Sequence, residues 1–298
     1  MIQAYSVENG QVGIRRWRLA LPSVVCSTQA AKRAVESVVR GKTVEHPLGC
    51  AQVGSDKEQT RNTLIGIGAH PNVERVVVVG LGCEGGPAEE VAEGIRQRGR
   101  STQAILIQAT GGMQKTEAKV REALEAPEQS EQRITVGMDR LVIGLASWEA
   151  MGGPGQHLVD ALRQAGARLI WAMPEGHEGP GRALAYAEPL DEGSHEGWMP
   201  AIGGEAASLT GLVAGGCHLV LALGDLQHLG GHPIAPVIRL GVDPALRSIL
   251  TDDLDGWIDD RRPEQWLDYV EAVCNGTEAV AEQFGGDMFA IARLGPTL

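Results

Sequence analysis

Residues 73–82 read VERVVVVGLG, and this run constrains the fold more than any other stretch of the chain. Four consecutive valines cannot alternate between core and water, as the residues of a half-exposed strand do. A continuous β-branched run fits a strand buried on both faces, the situation in a parallel sheet covered by helices. The flanking patterns agree. Strands are expected at 17–25, near 42–46 and at 104–108, and helices at 28–40, 56–69, 87–98 and 114–125. Pro71 ends the helix that precedes the valine run. Alternating β and α elements predict an α/β fold with mostly parallel, doubly wound (Rossmann-like) sheets.

Residues 126–135 (APEQSEQRIT) are polar and aperiodic, and read as a linker. Beyond them the alternation restarts, with strand 140–146, helix 155–166, strand 167–172, helix 204–214 and strands 218–223 and 235–240. A helix is expected from Pro244 and helical structure over 263–283. Residues 174–200, rich in Gly, Pro and acids, read as a long surface or active-site loop. The expected organisation is two lobes, 1–130 and 131–298.

The 298 residues carry a net charge of -12, and the few basic residues form no stripe, which argues against nucleic acid as a partner. No apolar run approaches the roughly 20 residues of a membrane span. The first residues, MIQAYSVENGQVGIRRW, lack the apolar segment of a secretion signal, so the cytoplasm is the expected compartment. The five cysteines are odd in number and widely spaced, as expected of free or metal-bound thiols under reducing conditions.

Three of those cysteines have matched settings. Cys26 and Cys83 follow apolar runs that read as strands, and Cys50 follows a shorter extended stretch. Ligands of open α/β sheets bind in the crevice outside the strand ends. Three thiols converging there suggest a metal or a reactive-thiol site.

Several blocks together resemble the altronate/galactarate dehydratase family. They are Asn9-Gly10-Gln11-Val12-Gly13-Ile14-Arg15, Pro22-Ser23-Val24-Val25-Cys26-Ser27, His46 with Gly49-Cys50, His70-Pro71-Asn72-Val73, Val77 to Glu84, and Gln108-Ala109-Thr110-Gly111-Gly112. They stand in family order across most of residues 9–125. In the second half Thr210 to Gly216, Gly224, Pro233, Pro236 and Asp253-Leu254-Asp255 resemble later blocks. There are departures. The family's Gly-Gly-Ser-Asp block reads Ala146-Ser147-Trp148-Glu149-Ala150-Met151-Gly152-Gly153, an expected loop arginine is Asp225, and the Ser-Pro-Gly-Asn-Lys block has no counterpart. The resemblance implies a metal-dependent hydro-lyase that converts a sugar acid, or a related small acidic metabolite, into a 2-keto-3-deoxy acid. It also implies a small antifreeze-like domain, here expected on a separate subunit if anywhere, and is compatible with a homo-oligomer. The departures leave two other readings open: a degenerate, non-catalytic member that binds a small acid or pairs with a catalytic subunit, and an iron–sulfur or redox protein.

Dehydration of such an acid removes a weakly acidic α-proton and expels a β-hydroxyl, which requires a base and an acid or Lewis acid. Cys26, Cys50 and Cys83 are the candidate ligands of a divalent metal. Thiolates would favour iron, as Fe2+ or in an iron–sulfur cluster, or zinc. Cys26 alone, ahead of a helix, is a candidate acid or base. His46 and Glu84 are candidate bases or ligands. Arg15 is a candidate partner for a substrate carboxylate, Gly111 and Gly112 for an anion on backbone N–H groups, and Asp253 and Asp255 for a shared cation if the stretch is extended. His218, His228 and His232 form a weaker metal candidate. His70 reads as fixing a helix end, Glu205 as a helix-start acid, and Cys217 and Cys274 as packing residues.

Overall fold

The computed structural model describes residues 1–83, 85–126, 133–147, 152–224, 229–293 and 295. The chain opens with β1 (Ile2–Ser6) and β2 (Val12–Gly13), a short antiparallel pair that the alternating pattern did not predict. Then come β3 (Trp17–Pro22), α1 (Thr28–Val35), β4 (Gly41–Thr43), α2 (Gly54–Gly68), β5 (Val73–Gly80), α3 (Pro87–Gln97), β6 (Thr102–Leu106), α4 (Ile107–Thr110) and α5 (Met113–Glu125). Strands β4-β3-β5-β6 form one sheet, parallel throughout. The valine run is buried on both faces, as its composition requires. Val76 and Val78 pack with Leu64 and Ile67 of α2 and with Val91 and Ile95 of α3. Val77 and Val79 pack with Ala30, Ala31 and Ala34 of α1 and with Val120 and Leu124 of α5.

The second half contains β7 (Arg133–Val136), β8 (Val142–Ser147), α6 (Gly152–Gln164), β9 (Arg168–Met173), β10 (Arg182–Ala183), β11 (Glu196–Pro200), α7 (Glu205–Ala214), β12 (Leu219–Gly224), β13 (Val237–Gly241), β14 (Gly256–Trp257), α8 (Pro263–Cys274) and α9 (Val280–Phe284). Seven of these strands form a second parallel sheet, in the order β10-β11-β9-β8-β12-β13-β14. Three expectations are corrected here. Residues 133–135, read as linker, belong to a strand, β7, that pairs antiparallel with β1. The long loop at 174–200 contains β10 and β11. The helix expected from Pro244 is a single 3-10 turn, Pro244–Leu246. No described helix is long and apolar enough to cross a membrane.

The two sheets share a core. Leu64 and Ile67 of α2 belong to the same buried cluster as Leu212, Val213 and Ala214 of α7. A Cβ added at Gly66 would lie 2.2 Å from the Ala214 carbonyl oxygen, so only glycine permits this approach of α2 to α7. The opening strand pair also crosses over, because Ile2, Ala4 and Val12 pack with Leu141, Ile143 and Leu145 of the second half.

A buried polar seam fixes the register between the halves. The Asn72 amide accepts from the Ile14 N–H (2.9 Å) and donates to the carbonyls of His218 (2.9 Å) and Ile234 (3.2 Å). His70 accepts the Asn72 N–H at Nδ1 (3.0 Å), and its Nε2–H donates to the Cys217 carbonyl (3.0 Å). His218 accepts the Val142 N–H at Nδ1 (3.0 Å), and its Nε2–H donates to the Val12 carbonyl (2.8 Å). His70 is thus a tie between lobes, a wider role than the helix end expected of it. Asn72→Ala would strand the buried Ile14 N–H and remove a donor from the His218 carbonyl, each costing about 1–3 kcal/mol, while the Ile234 carbonyl keeps the Trp17 Nε1–H (3.0 Å). The expected loss is at least about 2 kcal/mol of unfolding free energy in urea titration.

The seam also sets a pH dependence. His70 and His218 each accept a backbone N–H at Nδ1, so a proton there would meet another donor. Burial lowers His70 well below the ordinary histidine value, lowers His218 to about 4 and lowers His232 to about 3. In the unfolded chain these rings take up protons near pH 6.5. Stability is therefore complete above pH 6.5 and falls as pH drops below it, down to about 4 for His218 and about 3 for His232. Urea midpoints should decline steadily from pH 7 to pH 4. A profile that stays flat to pH 4 would contradict the neutral-histidine seam.

Candidate functional site

The parallel strands β3, β4 and β5 end at one edge of the first sheet, and backbone hydrogen bonds tie their following turns together. The Val25 N–H donates to the Leu48 carbonyl (2.8 Å), joining the Cys26 turn to the Cys50 loop. The Ser23 N–H donates to the Val79 carbonyl (3.0 Å), and the Gln108 N–H to the Leu81 carbonyl (3.0 Å), which draws in the Cys83 segment. Cys26, Cys50 and Cys83 are all free and exposed on this edge. Cys217 and Cys274 are buried packing residues, and burial pushes the Cys274 thiol up to about 12.

Between these turns lies a cavity of about 50 Å3, lined by Ser23, Cys50, Lys57, Thr60, Arg61 and Glu90 among others. Lys57 and Arg61 stand one turn apart on α2, so both cations flank the same space. Arg61 lies 3.7 Å from Glu58 and is largely exposed. Reading the sequence for chemistry passed over this pair. The signal was present as an i, i+4 pair of cations directly after Cys50, but charges on a helix ordinarily mark a solvated face. All the residues lining the cavity come from the first lobe.

His46 is buried and does not itself line the cavity. Its Nε2–H donates to the carbonyl of Pro22 (3.0 Å), the residue before Ser23. This bond fixes the tautomer and leaves the Nδ1 lone pair exposed to no donor, as a buried acceptor without a partner among the described residues. Burial lowers its pKa, against the smaller opposing effect of the Pro22 bond, so the ring is neutral and basic at physiological pH.

Other expected site residues have structural employment. Arg15 gives its Nε–H and one Nη2–H to Glu282 (3.0 and 2.8 Å), the other Nη2–H to the Thr277 carbonyl (3.1 Å), and both Nη1 hydrogens to the carbonyls of Ile14 (3.0 Å) and Val273 (2.9 Å). All five donors are spent, so Arg15 clamps the C-terminal region and has none left for a substrate carboxylate as folded. Gly111 and Gly112 both have positive φ (85° and 116°), and their N–H groups donate to Gln108 (3.3 Å) and Ile107 (3.0 Å). They close one helix and open the next, which corrects the expectation of an anion cradle. Asp255 accepts from the Arg239 N–H (2.8 Å), the Tyr269 hydroxyl (2.5 Å) and the Val280 N–H (3.1 Å). Asp253 and Asp255 lie in a run of bends and not on a strand, so the alternation that would align them is absent. Glu205, on α7, forms a buried ion pair with Arg239 (2.5 Å). Glu84, residues 148–151, Asp225 and His228 lie outside the described residues.

Among the described residues no group of three or more His, Cys, Asp or Glu side chains could hold a metal ion. The three thiols share an edge but not a coordination shell as folded, and His218 and His232 are core residues. The described donors assemble no ligand set for the expected metal, and Glu84, a further candidate ligand, lies outside the described residues.

Residues 4–130 match the family model for the second domain of D-galactarate dehydratase/Altronate hydrolase. The chain is similar to the (2R)-sulfolactate sulfo-lyase subunit beta of Chromohalobacter salexigens, at 36% identity over 36% of this chain and 27% of that protein. It is similar to the altronate dehydratase of Bacillus subtilis, at 29% identity over 46% of this chain and 30% of that protein. The altronate dehydratase of Escherichia coli is 33% identical over 28% of this chain and 19% of its own length. The chain thus aligns with less than a third of the length of each of these relatives.

The exposure pattern predicts thiol reactivity. In native protein at neutral pH, Ellman's reagent should titrate three thiols rapidly, those of Cys26, Cys50 and Cys83. Cys217 and Cys274 should react only after denaturation. Slow reaction of Cys50 in the native state would mean its loop is covered in solution.

Proposed function

From the match of residues 4–130 to the D-galactarate dehydratase/altronate hydrolase family model, we propose that this chain is a member of that family and a lyase acting on a small hydroxy-acid. The leading substrate is a sugar acid, and the product a 2-keto-3-deoxy acid. The observation that carries the assignment of the site is the meeting of Cys50, Lys57 and Arg61 around one cavity at the strand ends, with His46 bonded to the carbonyl of Pro22, the neighbour of the cavity-lining Ser23. Elimination α to a carboxylate needs that carboxylate neutralised, a proton removed and the leaving oxygen protonated. Lys57 and Arg61 supply the positive charge. His46, neutral with a bare Nδ1, is the base, and Glu84 is the other candidate. The Cys50 or Cys26 thiol is the proton donor to the leaving hydroxide.

A cavity of about 50 Å3 accommodates a carboxylate end, since a water molecule's share of liquid volume is about 30 Å3. The rest of the acid would lie across the exposed turns bearing Cys26 and Cys83. For His46 to reach an α-proton, the 46–50 segment must shift towards the cavity.

A second reading is a subunit of a larger lyase. It is favoured by the name of the sulfo-lyase relative, a subunit beta. Co-expression with candidate partners, followed by size-exclusion chromatography, separates it from the first. Elemental analysis of protein purified without oxygen tests the iron expected from the sequence.

The lyase reading is tested by turnover on a panel of aldonates and aldarates. His46→Ala should lower turnover by about 100-fold, the usual contribution of a general base. Lys57→Ala should chiefly raise KM, because it removes binding of a carboxylate that is charged throughout the reaction. Because the pKa of His46 is lowered, activity should persist below pH 6.5 before the base is protonated. Absence of turnover on every acid would remove the catalytic reading of the isolated chain. Full turnover per folded molecule in His46→Ala would move the base elsewhere.

A further inference from the structure

Beyond α9 the chain runs as a strap from the second lobe onto the first. At its start the Gly231 N–H donates to the Gly286 carbonyl and the Met288 N–H to the Gly231 carbonyl (both 2.9 Å), and Asp287 pairs with Lys42 of β4 (2.9 Å). Further along, the Ala290 N–H donates to the Thr210 hydroxyl of α7 (3.3 Å), and the Ala292 N–H to the Tyr186 hydroxyl (3.4 Å). Ile291 and Ala292 are buried in the core that the two sheets share. The strap then meets the first two turns of α2. Gln59 donates from Nε2 to the Ala292 carbonyl (2.5 Å), and Asp56 accepts the Gly295 N–H (3.2 Å) and lies 3.7 Å from Arg293.

Those turns have no cap of their own. A helix start leaves four N–H groups without intrahelical acceptors, and Ser, Thr, Asp or Asn at the N-cap ordinarily satisfies part of them. Here the N-cap is Val53, an exposed residue whose side chain offers no acceptor. Asp56, the acid of the first turn, is buried against the strap. The same turns carry Lys57, Thr60 and Arg61 to the cavity at the strand ends. At about 100° per residue, Asp56 and Gln59 share one stripe of α2, and Lys57 and Arg61 share the next. Strap and cavity therefore meet the same turns from different sides.

We propose that Asp56 and Gln59 are positioning residues: by holding the strap they fix the first two turns of α2, and with them the placement of Lys57 and Arg61 at the cavity. A site lined only by first-lobe residues is thereby set by a bond that spans 233 positions of the chain. The hold on α2 stands on the bonds described, while its effect on turnover rests on the lyase reading.

Hydrogen exchange of the full chain, read by mass spectrometry, is the test. Gln59→Met keeps the length and helix propensity of glutamine but cannot donate, whereas Gln59→Lys keeps both and a donor. Amides 58–62 should exchange several-fold faster in Gln59→Met and at the wild-type rate in Gln59→Lys, with the amides of α5 unchanged in both. Wild-type exchange in Gln59→Met, equal acceleration in both variants, or a rise shared by α5 overturns the proposal. If Gln59→Met does not fold, the wild-type protein decides: the Ala292 amide and amides 58–62 should open as one unit, with protection equal to within several-fold, and independent opening overturns it. Where an acid is turned over, Gln59→Met should raise its KM several-fold and leave kcat nearly unchanged, as loss of uniform carboxylate binding does. An unchanged KM removes the positioning role. Where no acid is turned over the lyase reading falls, and exchange alone decides whether the strap holds α2.

Discussion

Asn72 is the joint on which the molecule depends. Its side chain is fully buried and bonded at both ends, its N–H goes to His70, and its carbonyl accepts the Trp17 N–H at 2.9 Å. A buried amide is tolerated only when all its partners are in place. That condition fixes the starts of β3, β5 and β12 relative to one another. The strands are then rods held at one end, and the turns at their other ends inherit their spacing. The edge carrying Cys26, Cys50 and Cys83 is therefore set by contacts made at the opposite end of the sheet.

Much of the architecture could be read from the sequence because burial on two faces leaves a composition that little else produces. The valine run, the helices around it and the alternation of elements are of this kind. What escaped were strands too short to show a period, such as β2 and β10 with two residues each. β7 escaped for a different reason. Arg133 and Thr135 are polar because they face water, and the segment is a strand because β1, over a hundred residues away, offers it hydrogen bonds. Local pattern carries no trace of a partner so distant in the chain.

The site was legible in one respect and opaque in another. Cysteines after strands had to fall at the strand ends, and they do. Whether a polar residue serves chemistry or architecture was not decidable locally. Arg15 meets Glu282 across 267 positions, and Asp255 gathers Arg239, Tyr269 and Val280. Such partnerships appear only in three dimensions, and they convert expected ligand contacts into braces. Lys57 and Arg61 show the reverse case, in which ordinary surface charges become the walls of a cavity.

The close approach of α2 to α7 has a bearing on what kind of unit this chain is. The stretch that matches the family domain ends at residue 130, yet Leu64 and Ile67 of that stretch are buried with Leu212 and Val213 from well beyond it, and Ala4 and Val12 lie in the core of the other half. A fragment cut at the boundary of the family match would carry an uncovered apolar face and an Asn72 amide stripped of two acceptors. The evolutionary module and the physical module do not coincide here. Residues 4–130 are packed as half of one physical unit, and could not be lifted out without uncovering that shared core.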